Sequence, residues 1–148
     1  EYINWCLKQE RLAETLYIGL SNHSEVPGSA RAVFIDLAKQ EQEHYNSLSF
    51  VKRVLRSSSE LDNKIDLSAD EIADMKAYDR RIQGVSLDGL SFPQALELAN
   101  ELESQFYEIH CLLERTTESR ELKAVFRKLR TGDHEHFETL SRLMELHA

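Results

Sequence analysis

The sequence predicts an all-α protein of four long helices, arranged as two helix hairpins joined by a long crossover that carries a short helix of its own. Three observations predict it. Only 5 glycines and 2 prolines punctuate the 148 residues, too few for the tight turns of an all-β fold. Apolar residues recur at three- and four-residue steps along four separate stretches, which is the period of one face of an α-helix. The polar breaks between those stretches are short in two places and long in one.

The first stretch, Ile3, Cys6, Glu10, Ala13, Tyr17 and Leu20, predicts a helix over about 2–21, ended by the turn cluster Asn22, His23, Ser24, Pro27 and Gly28. Ser29 is placed to cap a second helix over about 30–56. Its stripe is Ala30, Phe34, Leu37, Glu41, His44, Leu48, Val51 and Leu55, and it stops in Ser57, Ser58 and Ser59. The crossover occupies 57–91, with Ser68-x-x-Glu71 reading as a capping box for a short helix through about Ile82 and with loops at Gly84 and Gly89. A structureless loop of that length is uncommon inside a compact domain, so the crossover is expected to run the length of the bundle. Ser91-Phe92-Pro93-Gln94 opens the third long helix, over about 92–115, with serine at the cap and proline in the first turn. Its stripe is Leu96, Ala99, Glu103, Phe106, His110 and Leu113. After a break at Thr116 and Thr117, Leu122, Phe126, Leu129, Asp133, His136, Leu140 and Leu143 mark the fourth, over about 118–146.

Composition narrows the function. A chain of this size fits one domain over 1–148 and can bury roughly 68–70% of its unfolded surface, so it needs no structural metal or disulfide merely to fold. With 26 acidic against 18 basic residues and a net charge of −8, the chain lacks the electrostatic footprint of a nucleic-acid binder. Cys6 and Cys111 form no C-x-x-C pair, which excludes a zinc ribbon or rubredoxin-type knot in this chain. They read as packing residues in a reducing, cytoplasmic setting. No apolar run reaches the ~18 residues of a membrane span and no signal peptide is recognisable. The chain opens at Glu1 rather than methionine, so further N-terminal residues are expected.

The chemistry lies where each stripe is broken by polar residues at positions its own period assigns to the core: Glu10, then Glu41 and His44, then Glu103, then Asp133 and His136. Residues three apart share a helix face, so Glu41 with His44, and Asp133 with His136, can address one point. The acidic-x-x-His spacing alone says little, because with 26 acids, 6 histidines and 148 positions about one such pair arises by accident. Registration says more. Both pairs sit mid-helix on an apolar stripe, and each follows a stripe-facing glutamate by nearly the same interval. Four carboxylates buried without partners would cost several kcal/mol each, roughly what a whole domain has to spare. The stripes offer no lysine or arginine, whereas two divalent cations would balance four carboxylates and leave both imidazoles neutral as ligands. Oxygen and imidazole donors suit iron or manganese. Hydrated or ion-paired interior groups are the alternative, and Glu10 or Glu103 taken singly would be an ordinary surface residue. His110 reads either as a hydrogen-bonded core histidine or as an additional ligand, and Tyr17 as a core residue whose hydroxyl can hold a ligating carboxylate. Asn100 reads as a solvated residue or one facing the site, and His134 and Glu135 fall on the wet face.

Glu10-x-x-Ala13-x-x-x-Tyr17, Ala38-x-x-Glu41-x-x-His44, the run Ala95-Leu96-Glu97-Leu98-Ala99 leading to Glu103, and Asp133-x-x-His136 together resemble the rubrerythrin-like branch of the ferritin-like diiron carboxylate proteins. The two hairpins and long crossover resemble the connectivity of ferritin-like bundles as well. The resemblance implies a ferritin-like four-helix bundle with two iron ions on Glu10, Glu41, His44, Glu103, Asp133 and His136, acting on peroxide or dioxygen or oxidising ferrous iron. It also implies a separate electron donor, since the cysteine module of full rubrerythrins is not in this chain, and a homodimer as the assembly. Three departures stand out. Asp133 is one methylene shorter than the family's glutamate, His110 stands where the first half has Tyr17, and the cysteine module is missing. An iron-sequestering shell and a helical interaction module with a degenerate site are the other functions this pattern allows.

Overall fold

The computed structural model describes residues 2–55 and 66–147, and among them there are five α-helices and no strand. The helices are α1 (Tyr2–Ser21), α2 (Gly28–Leu55), α3 (Ala69–Gln83), α4 (Phe92–Thr116) and α5 (Arg120–Leu146). The expected stop at Ser57–Ser59, and the start of the crossover, lie outside the described residues.

Helix starts follow local chemistry. Ser68 with Glu71, and Ser91 with Gln94, each form a complete capping box, and Pro93 sits in the first turn of α4 where its missing donor costs nothing. The start of α2 differs from the sequence reading. Pro27 offers its carbonyl to both Ala30 and Arg31 N–H, so the ladder begins at Gly28 and Ser29 lies inside the first turn rather than capping it. At the start of α5 it is Ser119 that caps, its hydroxyl accepting from Leu122 N–H.

α1 packs along α2 and α4 along α5, giving two hairpins; α2 also meets α5 and α1 meets α4, which closes a bundle. Two apolar clusters fill it. One gathers Ile3, Cys6 and Leu7 of α1, Leu48 of α2, Phe106, Ile109 and Leu113 of α4, and Leu122, Phe126 and Leu129 of α5. The other gathers Tyr17 and Leu20, Phe34 and Leu37, Leu96 and Ala99, and Leu140 and Leu143 from the same four helices. Glu10, Glu41, His44, Glu103, Asp133 and His136 fall in sequence between the residues of the two sets just named, so they form a layer across the middle of the bundle, while His110 lies further along α4, among residues of the first set. The C-terminal half of α2 belongs to the first cluster and the N-terminal half of α4 to the second, so the two helices run parallel and the connection between them spans the bundle. α3 lies on that path: Met75, Tyr78 and Ile82 pack into the first cluster, and the Tyr78 hydroxyl lies 3.4 Å from the Leu102 carbonyl. Leu87 and Leu90 then reach the second. No described helix is long and apolar enough to cross a membrane.

The two serines give a direct test of these helix starts. Ser91→Ala should cost about 1 kcal/mol through loss of the cap, lowering Tm by about 2–4 °C, while Ser29→Ala should stay within about 0.5 kcal/mol. Equal effects in thermal melts would refute the assignment.

Candidate metal centre

Two groups of three donors occupy the polar layer: Glu10, Glu41 and His44, and Glu41, Glu103 and His136. Within each, one donor atom per residue lies within 4.8 Å of the others. All five side chains are buried, the most open being His44 at 6%. Helical period explains the placement, since Glu41 and His44 are neighbours one turn apart on α2 and face α1 and α5.

In the first group His44 Nδ1 lies 3.7 Å from Glu10 Oε2 and 3.8 Å from Glu41 Oε2. These separations are too long for hydrogen bonds and leave room for a cation among the three donors. In the second group His136 Nδ1 lies 2.6 Å from Glu41 Oε1 and 3.1 Å from Glu103 Oε1. The other nitrogen of His136, Nε2, lies 2.8 Å from Gln40 Oε1, and a carbonyl oxygen accepts, so Nε2 carries a hydrogen. Gln40 is itself held by Asp36, to which its amide donates at 2.8 Å. That leaves Nδ1 facing two carboxylates, an arrangement that calls for a further proton, on the ring or on a carboxyl, or for a cation beside it.

Several buried donor atoms have no hydrogen-bond partner: Glu41 Oε1, Glu103 Oε2, His44 Nδ1 and His110 Nε2. Such atoms are costly in a dry interior. Among the described residues no lysine or arginine pairs with Glu10, Glu41, Glu103 or Asp133. The buried Glu and His side chains could thus hold a metal ion, and the oxygen and imidazole donors fit a divalent cation.

No family model, curated protein or solved structure matches the chain. What the centre can hold follows from its own geometry and electrostatics.

Without a cation, protons have to do the neutralising. Burial is the largest influence on each of these groups. It pushes Glu10 up to about 7, with the charge of Glu41 adding to it, and it raises Glu103. Burial and the charges of Glu10 and Glu41 hold Asp133 well above the usual carboxylate range. At Glu41 burial and Glu103 push upward, but the facing imidazoles of His136 and His44 outweigh them and bring the carboxyl down to about 2. Burial disfavours the charged imidazoles, yet the facing carboxylates prevail, raising His44 to about 10 and His136 to about 11. Without a cation, His44 and His136 are held toward the charged form and Glu10, Glu103 and Asp133 toward the neutral form.

The remaining residues sort as follows. The Tyr17 hydroxyl donates to Glu103 Oε1, and the edge of its ring meets His136 at 5.9 Å between centroids. Burial and Glu103 keep that phenol protonated, so it remains a donor. Asp133 lies in neither three-residue group; its carboxylate pairs with His110 Nδ1. Asn100 is turned to α5, donating to the Phe137 carbonyl at 3.2 Å and to Ser141 Oγ at 3.1 Å. His134 is exposed and pairs with Glu138 at 2.7 Å. Cys6 is buried in the first apolar cluster and Cys111 is half-buried.

Two residues of the centre carry no signal that the sequence reading used. Gln40 lies one position off the stripe. Gly132 sits mid-helix in α5, where a Cβ would come within 2.5 Å of His44 Nε2, so its missing side chain makes room for the imidazole. The His44 and His136 rings can then stack, with centroids 5.6 Å apart and planes 24° from parallel. A glycine in the middle of a helix and directly before a candidate acidic ligand was the available clue. Gly132→Ala should raise helix propensity by up to about 1 kcal/mol yet displace His44 and weaken metal uptake by about tenfold or more. Unchanged uptake by the alanine variant, measured by equilibrium dialysis, would remove that role.

Proposed function

We propose that this chain is a ferritin-like carboxylate protein that binds two divalent ions, iron or alternatively manganese, and acts as a rubrerythrin-like oxidoreductase on peroxide or dioxygen or oxidises ferrous iron. The observation that carries the reading is Glu41, whose two oxygens belong to two different buried donor groups. A carboxylate placed in this way suits a pair of ions better than one. The parallel α2 and α4 and the lengthwise crossover support the ferritin-like assignment, because that connectivity is characteristic of those bundles.

A bound pair of redox-active ions would supply electron transfer and Lewis acidity toward an oxygen substrate. The chain's own residues do the rest. Glu10 and His44 present donors from α1 and α2, Glu103 and His136 from α4 and α5, and Glu41 joins the two sets. Gln40 fixes the tautomer of His136, and the Tyr17 hydroxyl orients Glu103. The apolar clusters on either side keep water from the layer. Reduction of one peroxide to two waters takes two electrons and two protons, with the electrons from a separate donor.

Anaerobic reconstitution with ferrous iron followed by elemental analysis should find close to two ions per chain. Glu41→Ala should lose both, whereas Glu43→Ala, on an exposed position of the same helix, should keep both. Absence of metal in the unmodified protein, or equal loss in the two variants, would sink the proposal.

The protonation pattern gives a second test. His44 and His136 are raised from 6.5 to about 10 and about 11, so their stabilisation of the metal-free fold is complete below 6.5 and drains as pH rises toward those values. Glu10 acts in the same sense between 4.5 and about 7. Glu41 acts only below 4.5, and His110, lowered by burial, opposes the trend only below 6.5. Tm of the metal-free protein should therefore fall steadily from pH 7 to 10. Metal displaces these protons, so the loaded protein should lose that slope and bind more tightly as pH rises. A metal-free Tm that climbs across the same window would contradict the assigned protonation states.

A further inference from the structure

His110 stands outside both three-residue groups, yet it adjoins the same layer. Its side chain is 0% exposed, and the ring lies nearly parallel to those of Phe106 and Phe126, with centroids 6.5 and 6.4 Å away and planes within 14° and 18°. Nδ1 pairs with Asp133 Oδ2, a carboxylate that is 1% exposed. With Asp133 ionised, as a cation in the layer would leave it, the carboxylate accepts from Nδ1–H and Nε2 carries the lone pair. Nε2 has no hydrogen-bond partner and faces Glu10 Oε1 at 3.6 Å. The second oxygen of Glu10 lies 3.7 Å from His44 Nδ1, so Glu10 connects His110 to the first donor group.

A histidine that served only to fill the core would be expected to satisfy both nitrogens or bury neither. Here one nitrogen is locked by a carboxylate and the other is left open toward an oxygen that is also an acceptor. The buried, unpartnered Nε2 and the Glu10 oxygen 3.6 Å from it are two donors that one cation could bind together.

We propose that His110 Nε2 is a donor to the metal ion held by Glu10, and that Asp133 is the positioning residue that holds His110 rather than a ligand of either ion. The inference rests on the two-ion reading given above. It accounts for the short acidic side chain on α5: an aspartate reaches the imidazole of the adjacent α4, and the histidine covers the remaining distance. A histidine whose second nitrogen hydrogen-bonds a carboxylate is the common way in which a metal-bound imidazole is oriented. The two ions would then have different surroundings, with an extra nitrogen donor on the side of Glu10.

The test uses cobalt(II), whose visible absorption reports its donors, titrated anaerobically into the full chain. The unmodified protein should take up two ions. His110→Phe keeps a ring beside Phe106 and Phe126, and should weaken one of the two ions by about 10–100-fold and change its spectrum while helix content is retained. His110→Gly should show the same loss and recover with added imidazole, which a packing role would not produce. Asp133→Asn still offers an oxygen to Nδ1–H and should stay within about threefold of the unmodified protein, whereas Asp133→Ala should lose about tenfold. Unchanged affinity and spectrum in His110→Phe would make His110 a core residue, and an Asp133→Asn as damaged as Asp133→Ala would make Asp133 a ligand. Either result overturns this inference and leaves the two-ion centre standing. If the unmodified protein takes up no cobalt, the two-ion reading falls and this one falls with it.

Discussion

Seven ionisable side chains share the dry middle of this bundle, and their mutual neutralisation is the constraint on which the rest of the architecture depends. Glu10, Glu41, His44, Glu103, His110, Asp133 and His136 are all buried, with apolar clusters on either side of them. A charge in such a place costs several kcal/mol unless it is matched, and a domain has only about 5–15 kcal/mol of stability in all. The layer therefore has two workable states. Either protons are distributed so that imidazolium faces carboxylate, or cations could take the place of those protons. The helices hold these donors 3.1–3.8 Å apart, close enough for a cation to sit among them.

Rigidity in the layer comes from residues that do not themselves belong to the three-residue groups. Tyr17 holds Glu103, Gln40 holds His136, and Asp133 holds His110, each through a hydrogen bond that fixes which atom faces inward. Gly132 contributes by absence, giving His44 the space a methyl group would take. Each of these contacts joins two different helices, so the orientation of the donors depends on the packing of the bundle as much as on any one helix. α3 adds to that packing by covering α1 and the adjoining face of α4 with Met75, Tyr78 and Ile82.

The two halves of the chain are similar without being equivalent. Each supplies a glutamate on one helix and an acid with a histidine three residues later on the next. In the first half both members of the Glu41 and His44 pair belong to a donor group, whereas in the second only His136 does, and Asp133 turns to His110. Where the first half has a tyrosine seven residues after its glutamate, the second has that histidine. The divergence at 110 and the shortened acid at 133 meet in one hydrogen bond, so the two departures are a single structural feature.

Much of this was legible from residue order alone. The 3.6-residue period placed Glu10, Glu41, His44, Glu103 and His136 on inward stripes, and burial bears that out for each of them. Capping boxes at Ser68 and Ser91 announced α3 and α4, because those signals act within four residues. Ser29 misled, since a serine in the first turn looks like a cap unless the Pro27 carbonyl is known to start the ladder. Gln40 and Gly132 stayed hidden for a different reason. A side chain one position off a stripe, or one that is missing, acquires meaning only from the neighbouring helix it meets. Periodicity determined which face of each helix turns inward, because that depends on spacing within one segment. Which acid meets which imidazole, and that Asp133 joins His110 rather than the three-residue groups, was decided by tertiary packing, because those contacts lie between helices and depend on tenths of an ångström in how the helices approach.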